Sequence, residues 1–163
     1  MKFTLSWLKK FLDTKASLNQ ISEALTSLGL EVESITDHSK ALEAFIIAEI
    51  LEAEQHPNAD RLKICKVNNG KQILNIVCGA SNARAGIKVV LAEVGTILPD
   101  GTVIKQTKIR GADSAGMLCS SEELGLGKLE DGIIELSCEA KIGEKFLTAR
   151  PELTDQVIEV SIT

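Results

Sequence analysis

Aromatic residues are scarce in this chain of 163: one tryptophan, four phenylalanines and no tyrosine. Between Ile46 and Lys145 there is none. Many proteins that hold single strands stack the bases on aromatic rings, and this stretch cannot. Long apolar runs are missing too. None approaches the roughly 20 residues of a membrane-spanning helix. Met1 to Leu12 holds lysines but no unbroken apolar core and no small-residue cleavage site, so it makes a poor secretory signal. We expect a cytoplasmic protein with no membrane association. The four cysteines, at 65, 78, 119 and 138, include no pair two residues apart, and neither histidine stands near one in metal-ligand spacing. That speaks against a zinc site and for small, partly buried thiols. The chain has no GxGxxG, no Walker loop and no HExxH. No serine or cysteine stands in a recognisable nucleophile arrangement with His56, and no carboxylates pair for acid–base work.

What is present describes an ordered domain. Hydrophobic residues make up 44% of the chain and charged ones 25%, which excludes disorder. The length suits one domain, or one domain with a small attachment. The net charge of −5 argues against a simple nucleic-acid binder, but it is unevenly spread. Pro57 to Ser121 holds nine Lys or Arg against four Asp or Glu, a net +5 that leaves −10 for the rest. A basic middle with acidic flanks suits a polyanion at one face. An uneven solvated surface is the alternative.

The first 36 residues read as a small α+β unit. Phe3 and Leu5 alternate briefly, and Ser6 is placed to cap a short helix with Trp7, Leu8, Phe11 and Leu12. Ser17 to Gln20 matches a capping box. Leu18, Ile21, Leu25 and Leu28 then share one helical face, and Gly29 stops the helix. Leu30 to Ile35 reads as a strand. So few elements cannot bury a core alone. Asp37 to Glu43 is a polar link, after which the pattern becomes all-β. Strands are expected at Phe45–Ala53, Arg61–Val67, Ile73–Cys78, Ile87–Ala92 and Thr102–Arg110. Asn69-Gly70 predicts a type I′ hairpin turn, and Pro99-Asp100-Gly101 another turn. Short strands at this spacing predict a closed Greek-key barrel or a sandwich. Ser120 to Glu123 is a second capping box, opening a short helix that Gly125 and Gly127 end. Gly132 to Leu136 reads as a strand, Ile142-Gly143 as a turn, and Pro151 as a break. Val157 to Thr163 alternates, with Ile158, Val160 and Ile162 on an apolar face that nothing later in the chain covers. We expect it to pair with the N-terminal unit and the protein to continue beyond this sequence.

Three clusters carry candidate site residues. In His56-Pro57-Asn58-Ala59-Asp60-Arg61-Leu62, proline fixes a turn. Asn58 and Asp60 are short polar side chains that bond nearby backbone amides in turns. This is either a stiff connecting loop or a rigid platform presenting Arg61 and Lys63 to phosphates. In Cys78 to Arg84, small residues permit close backbone approach, and Gly79, Ser81 and Asn82 offer donors. A tight loop at a barrel rim is the alternative. The third cluster runs from Lys108-Ile109-Arg110-Gly111 through Ser114 to Ser120. Lys105, Lys108 and Arg110 form a basic stripe, with Lys105 out of phase unless a bulge intervenes. Gly116 predicts a close turn, and Met117 core filling. Without aromatics, any nucleic acid must be held by phosphate charge, hydrogen bonds and shape, which favours a folded RNA.

Together HPNADRL, IVCGASN and KIRG with SAGMLCS resemble the tRNA-binding domain found in phenylalanyl-tRNA synthetase β subunits, methionyl-tRNA synthetase extensions, free-standing tRNA-binding proteins and a synthetase-associated cytokine. Met1-Lys2-Phe3 through Ser6-Trp7-Leu8, Leu28 to Glu33, and the tail from Asp155 to Thr163 resemble the start of the bacterial β subunits. The resemblance implies a mainly β protein with some α. An oligonucleotide-binding (OB-fold) barrel over residues 40–151 would be inserted in a split α+β domain formed by 1–39 and 152–163. It implies tRNA contacts at His56, Asn58, Asp60 and Arg61, at Ser81, Asn82 and Arg84, and at Lys105, Lys108, Arg110, Ser114 and Ser120. Lys63 joins them from the loop reading, and Asp60 is expected to be structural, since phosphate would repel it. The family further implies an α2β2 ligase that joins phenylalanine to tRNA(Phe) with ATP and Mg2+. Its aminoacylation site lies in the α subunit and its editing site lies further along β. This stretch would hold neither site, nor metal or cofactor. The alternatives are a structural module for assembly and a free-standing tRNA-binding protein.

Overall fold

The computed structural model describes residues 1–12, 14–37 and 39–162. His38, inside the expected polar link, and Thr163, the expected end of the last strand, lie outside the described residues, as do the side chains of Thr36 and Ile162. In chain order the elements begin with β1 (Lys2–Thr4), α1 (Leu5–Phe11), α2 (Leu18–Ser27), β2 (Leu30–Thr36) and α3 (Ser39–Leu42). There follow β3 (Ile46–Gln55), β4 (Lys63–Asn68), β5 (Ile73–Cys78), β6 (Lys88–Glu93), β7 (Thr107–Ile109), β8 (Ala112–Ser114) and β9 (Gly116–Leu118). Last come β10 (Glu135–Leu136), α4 (Phe146–Ala149), a 3-10 turn at Pro151–Thr154 and β11 (Val157–Ile162). The chain forms two compact units, Met1–Lys40 with Arg150–Thr163, and Ala41–Ala149.

In the first unit β11 lies between β1 and β2, antiparallel to both. Its register shifts between Glu159 and Val160. Ile158 and Val160 are buried, so these two residues of the expected bare face are covered. Alternation reveals a strand's faces but not what lies on them. The Ser17 capping box is present: Ser17 Oγ accepts from the Gln20 amide at 3.3 Å, and Gln20 Oε1 from the Ser17 amide at 2.9 Å. The cap of α1 is Thr4, whose hydroxyl accepts from the Trp7 amide at 3.2 Å. Ser6 sits inside the first turn and bonds Asp155 instead. Burial pushes the Asp155 carboxyl up, but hydrogen bonds from the Ser6 hydroxyl and amide outweigh it and hold the group below its ordinary value. Helix α1 buries none of its residues. Trp7 and Phe11 are 51% and 75% exposed, their ring centroids 5.0 Å apart.

The second unit is a barrel of the oligonucleotide-binding class. Strand order is β10-β6-β3-β4-β5, with β9 also on β6. β3 serves both halves. Ile46–Glu49 pairs with β6, and Glu49–Gln55 with β4, across a bulge between Ile50 and Glu52. A bulge turns a strand and sharpens its twist, which lets one strand bend around the core. Into that core point Ala48, Ile50, Cys65, Val67, Ile76, Val89, Leu91 and Leu118, all buried. Residues 143–146 clasp the start of β3: the Ile47 amide donates to Glu144 O at 2.8 Å, and the Phe146 amide to Phe45 O at 2.9 Å. Phe45 and Phe146, the unit's two aromatics, are both buried there.

The seam is closed differently. Beside β5, Ala115 N donates to Asn75 O at 2.9 Å, and Val77 N to Ser114 Oγ at 3.1 Å. The Ser114 hydroxyl in turn donates to Gly116 O at 3.2 Å. Gly116 has φ 149°, and a Cβ there would lie 2.9 Å from Ala92 O, so only glycine lets β9 approach β6 this closely.

Four sequence expectations need correction. The hairpin loop after β4 has four residues, because Asn68 pairs with Ile73. Asn69 is buried, and its side chain accepts from the Lys71 and Gln72 amides at 2.9 and 2.8 Å. Only Gly70 (φ 92°) has positive φ there, so the turn is not type I′. Thr102–Arg110 is not one strand. Val103 bridges back to Ile97, and only Thr107–Ile109 forms β7. The Ser120 box makes both its hydrogen bonds, at 2.7 and 3.4 Å, but no helix follows. Gly125 (φ 75°) and Gly127 (φ 83°) turn the chain away after a single turn. Gly132–Leu136 pairs with β6 only at Glu135–Leu136.

Of the four cysteines, Cys65, Cys78 and Cys119 are buried and Cys138 is exposed. Burial raises all three buried thiols, Cys65 to about 11. The thiolate is the reactive form. A disulfide reagent at pH 8 should therefore titrate one thiol per native chain, and four in denaturant.

Candidate nucleic-acid interface

The loop leaving β3 is shaped by two side chains. Gln55 Nε2 donates to Ala59 O and Asp60 O, both at 2.8 Å. His56 is 2% exposed. Its Nδ1 accepts from the Asn58 amide at 2.9 Å, so its proton sits on Nε2, 3.0 Å from Ile109 O. An imidazole with one acceptor and one donor nitrogen in use is neutral. His56 therefore acts as a strut, tying the loop to the β7–β8 hairpin. That hairpin turns through Arg110 (φ 52°) and Gly111 (φ 87°), between the paired Ile109 and Ala112. Both central residues have positive φ, as a type I′ turn requires. Glycine is at ease there, whereas a long side chain is uncommon.

Between loop and hairpin lies a cleft of about 510 Å³, lined by Asn58, Ala59, Asp60, Arg61, Leu62 and Arg110. The side chains of Asn58, Asp60, Arg61 and Arg110 make no hydrogen bond or ion pair with any described residue. The expected local bonds from Asn58 and Asp60 to backbone are thus not made. His56 and Gln55 shape the loop instead. Gln55 carried no signal in the sequence, because its role depends on the loop folding back over it.

The second cluster is wired internally. Lys63 Nζ donates to Ala83 O at 2.7 Å and to Ser81 O at 3.4 Å. Asn82 bonds both faces of one backbone residue: Nδ2 donates to Ile133 O at 2.8 Å, and Oδ1 accepts from the Ile133 amide at 3.0 Å. Arg84 pairs with Glu135 and holds that carboxyl below its ordinary value. Ser81 keeps an exposed hydroxyl. Gly79 abuts the first loop, since a Cβ there would lie 3.3 Å from Leu62 Cδ2.

The third cluster divides. Lys105 and Lys108 are exposed and form no ion pair with any described carboxylate, although Lys108 stands opposite Asp113. Ser114 is 2% exposed and closes the barrel seam, so its hydroxyl is not available to a ligand. Ser120 lines a separate cleft of about 340 Å³ with Glu122, Glu123, Glu130 and a single cation, Lys128, a net acidic surround less suited to phosphate. The structure thus brings Asn58, Asp60, Arg61 and Arg110 to one cleft, with Lys108 on the hairpin beside it. It commits Lys63, Asn82, Arg84 and Ser114 to internal bonds. Among the described residues no helix is long and apolar enough to cross a membrane, and no group of three or more His, Cys, Asp or Glu could hold a metal ion.

An OB-class barrel with this cationic cleft on its rim defines a nucleic-acid-binding module. The chain belongs to the family described as "Putative tRNA binding domain", which matches residues 45–145. Along its whole length it is similar to curated proteins named phenylalanine–tRNA ligase beta subunit. It is 54% identical over 164 residues to that of Paramagnetospirillum magneticum, and 54% over 164 residues to that of Rickettsia bellii. It covers 20% and 19% of their lengths, so it spans about a fifth of these relatives. A solved structure, the C-terminal domain of Plasmodium vivax p43, aligns with TM-score 0.46 and 24% identity over 64% of this chain and 59% of that one.

Ser114 offers a direct check on placement. Ser114→Ala removes the acceptor of the buried Val77 amide, and leaving such a donor unpaired costs roughly 1–3 kcal/mol. Ser81→Ala, at an exposed hydroxyl, should change stability by less than about 0.5 kcal/mol. Denaturant unfolding of the two variants compares them.

Proposed function

We propose that this chain is the tRNA-binding part of a phenylalanine–tRNA ligase β subunit, and that it holds tRNA by phosphate and shape contacts at the cleft between loop 56–62 and hairpin 107–114. Family membership and similarity along the full chain support the identity. The observation that carries the site is a sorting of cations. Lys66 and Arg84 are paired with Glu52 and Glu135, and Lys63 and Lys88 are bonded to backbone carbonyls. Arg61, Lys105, Lys108 and Arg110, in the first loop and in or just before the hairpin, are left without a partner among the described residues, as is Lys71 in the hairpin at 69–72. A protein binds the RNA backbone through cations that are free to displace its counterions. The whole subunit would work in an α2β2 heterotetramer in the cytoplasm, joining phenylalanine to tRNA(Phe) with ATP and Mg2+. Those chemical steps, and editing, would belong to residues outside this stretch.

A second role is compatible. The bare stripe of Trp7 and Phe11 on α1 favours a contact that supports assembly.

Arg110 provides the cleanest test, because asparagine suits a positive-φ turn position better than arginine does. Arg110→Asn should leave the hairpin intact while removing one phosphate contact. With phosphate contacts from Arg61, Lys105, Lys108 and Arg110, the slope of log affinity for tRNA against log salt should be about −2.8 to −3.6, and the variant should lower its magnitude by roughly 0.7–0.9. Lys108→Glu with Arg110→Glu should abolish binding without unfolding the barrel. Salt-independent binding, or a wild-type slope in Arg110→Asn, would contradict the proposal.

A further inference from the structure

The cleft contains one group that phosphate binding does not explain. Asp60 is an exposed carboxylate set among guanidinium groups, yet it pairs with neither Arg61 nor Arg110 and bonds no backbone amide. Loop shape does not need it, because Gln55 holds the carbonyls of residues 59 and 60 and His56 holds the amide of Asn58. In a purely phosphate-binding surface a free carboxylate is a liability, repelling the ligand that the arginines attract. The cleft therefore offers two guanidinium donors, one acceptor-only carboxylate and one amide that both donates and accepts. All four are unengaged, in a space within the roughly 300–1,000 Å³ of small-ligand sites.

We propose that this cleft reads a single unpaired guanine, with Asp60 accepting from its Watson–Crick edge while Arg61 and Arg110 hold the flanking phosphates. This rests on the RNA-binding reading above and sharpens it from shape to base identity. The chemistry selects the base. An ionised carboxylate has two oxygens and no proton to give, so it matches an edge with two adjacent donors. Guanine presents N1–H beside its N2 amino group. Adenine and cytosine each place a ring-nitrogen acceptor beside their amino group, and uracil places one N–H between two carbonyls. Only guanine meets Asp60 with two donors and no repelling lone pair. Sequence-specific RNA readers commonly take bases from loops and bulges, where this edge is free, and an arginine plane can stack on the base where aromatic rings are absent.

The test is a footprint on tRNA with a dicarbonyl reagent that modifies N1 and N2 of unpaired guanines, using the wild-type chain and Asp60→Asn. The substitution exchanges one acceptor for a donor at a side chain that holds nothing in the fold, and a thermal melt confirms that the variant folds. With the wild type, at least one unpaired guanine should be protected. With Asp60→Asn that protection should vanish and tRNA affinity should fall roughly 5- to 100-fold, the range of a lost bidentate base contact, while the salt slope stays the same. Salt-dependent tRNA binding with no protected guanine, or with protection that survives Asp60→Asn, overturns the guanine assignment and leaves the RNA-binding reading standing. Absence of tRNA binding at low salt overturns both.

Discussion

The barrel and its cleft depend on one strand being shared. β3 is hydrogen-bonded to β6 on one side and to β4 on the other, the two pairings overlap at Glu49, and a bulge at Leu51 interrupts the β4 pairing just beyond. Without that extra residue the strand would run straight, and the sheet could not bend around Ile50, Val67 and Leu91. The same bend sets where β3 ends. Its last residues deliver Gln55 and His56 beside the hairpin that follows β6, and His56 fastens the two with its paired ring nitrogens. The geometry of the candidate site is thus a consequence of how the barrel is closed. Loop 56–62 is held by Gln55 and His56, and the hairpin is anchored at the seam by Ser114.

This division of labour explains how a chain with net charge −5 can present a cationic site. Four of the nine basic side chains in residues 57–121 are engaged where they stand, Lys66 and Arg84 by Glu52 and Glu135, and Lys63 and Lys88 by backbone carbonyls. Of the five left without a partner among the described residues, four lie in the first loop and in or just before the hairpin 107–114, and Lys71 lies in the hairpin at 69–72. Arg110 illustrates the compromise. A positive φ disfavours a long side chain, by about 1–2 kcal/mol relative to glycine, yet the turn tip is where a cation projects furthest from the barrel. Local strain of this kind is often retained where a side chain has work to do.

Much of the architecture was legible in the sequence. The Ser17 box, the β5 strand at Ile73–Cys78 and the all-β middle follow from periodicity and caps, while the oligonucleotide-binding class comes from the resemblance that three loop motifs carry. The misreadings have specific causes. Asn69-Gly70 carries the strongest two-residue turn signal, but Asn69 is buried and bonds two amides of a longer loop. The two-residue turn falls at Arg110-Gly111, where no propensity would place it. The box at Ser120 is real, but two glycines end the helix before it starts. For the candidate residues, composition shows which side chains are polar and not whether they are already occupied. Ser114, Asn82 and Lys63 look like offered donors, and only the fold shows which amide or carbonyl each one meets. Asp60 runs the other way: it looked structural, and its carboxylate holds nothing.

The central claim is that RNA is held between loop 56–62 and hairpin 107–114. Amide hydrogen exchange, measured on the chain with and without saturating tRNA, tests it most directly. Loop amides open easily when free and slow when a ligand covers them. Slowing confined to residues 58–62 and 107–113, with none at the opposite hairpin 69–72, is the predicted result. Slowing at 69–72 or along α1, with the cleft unchanged, would contradict it.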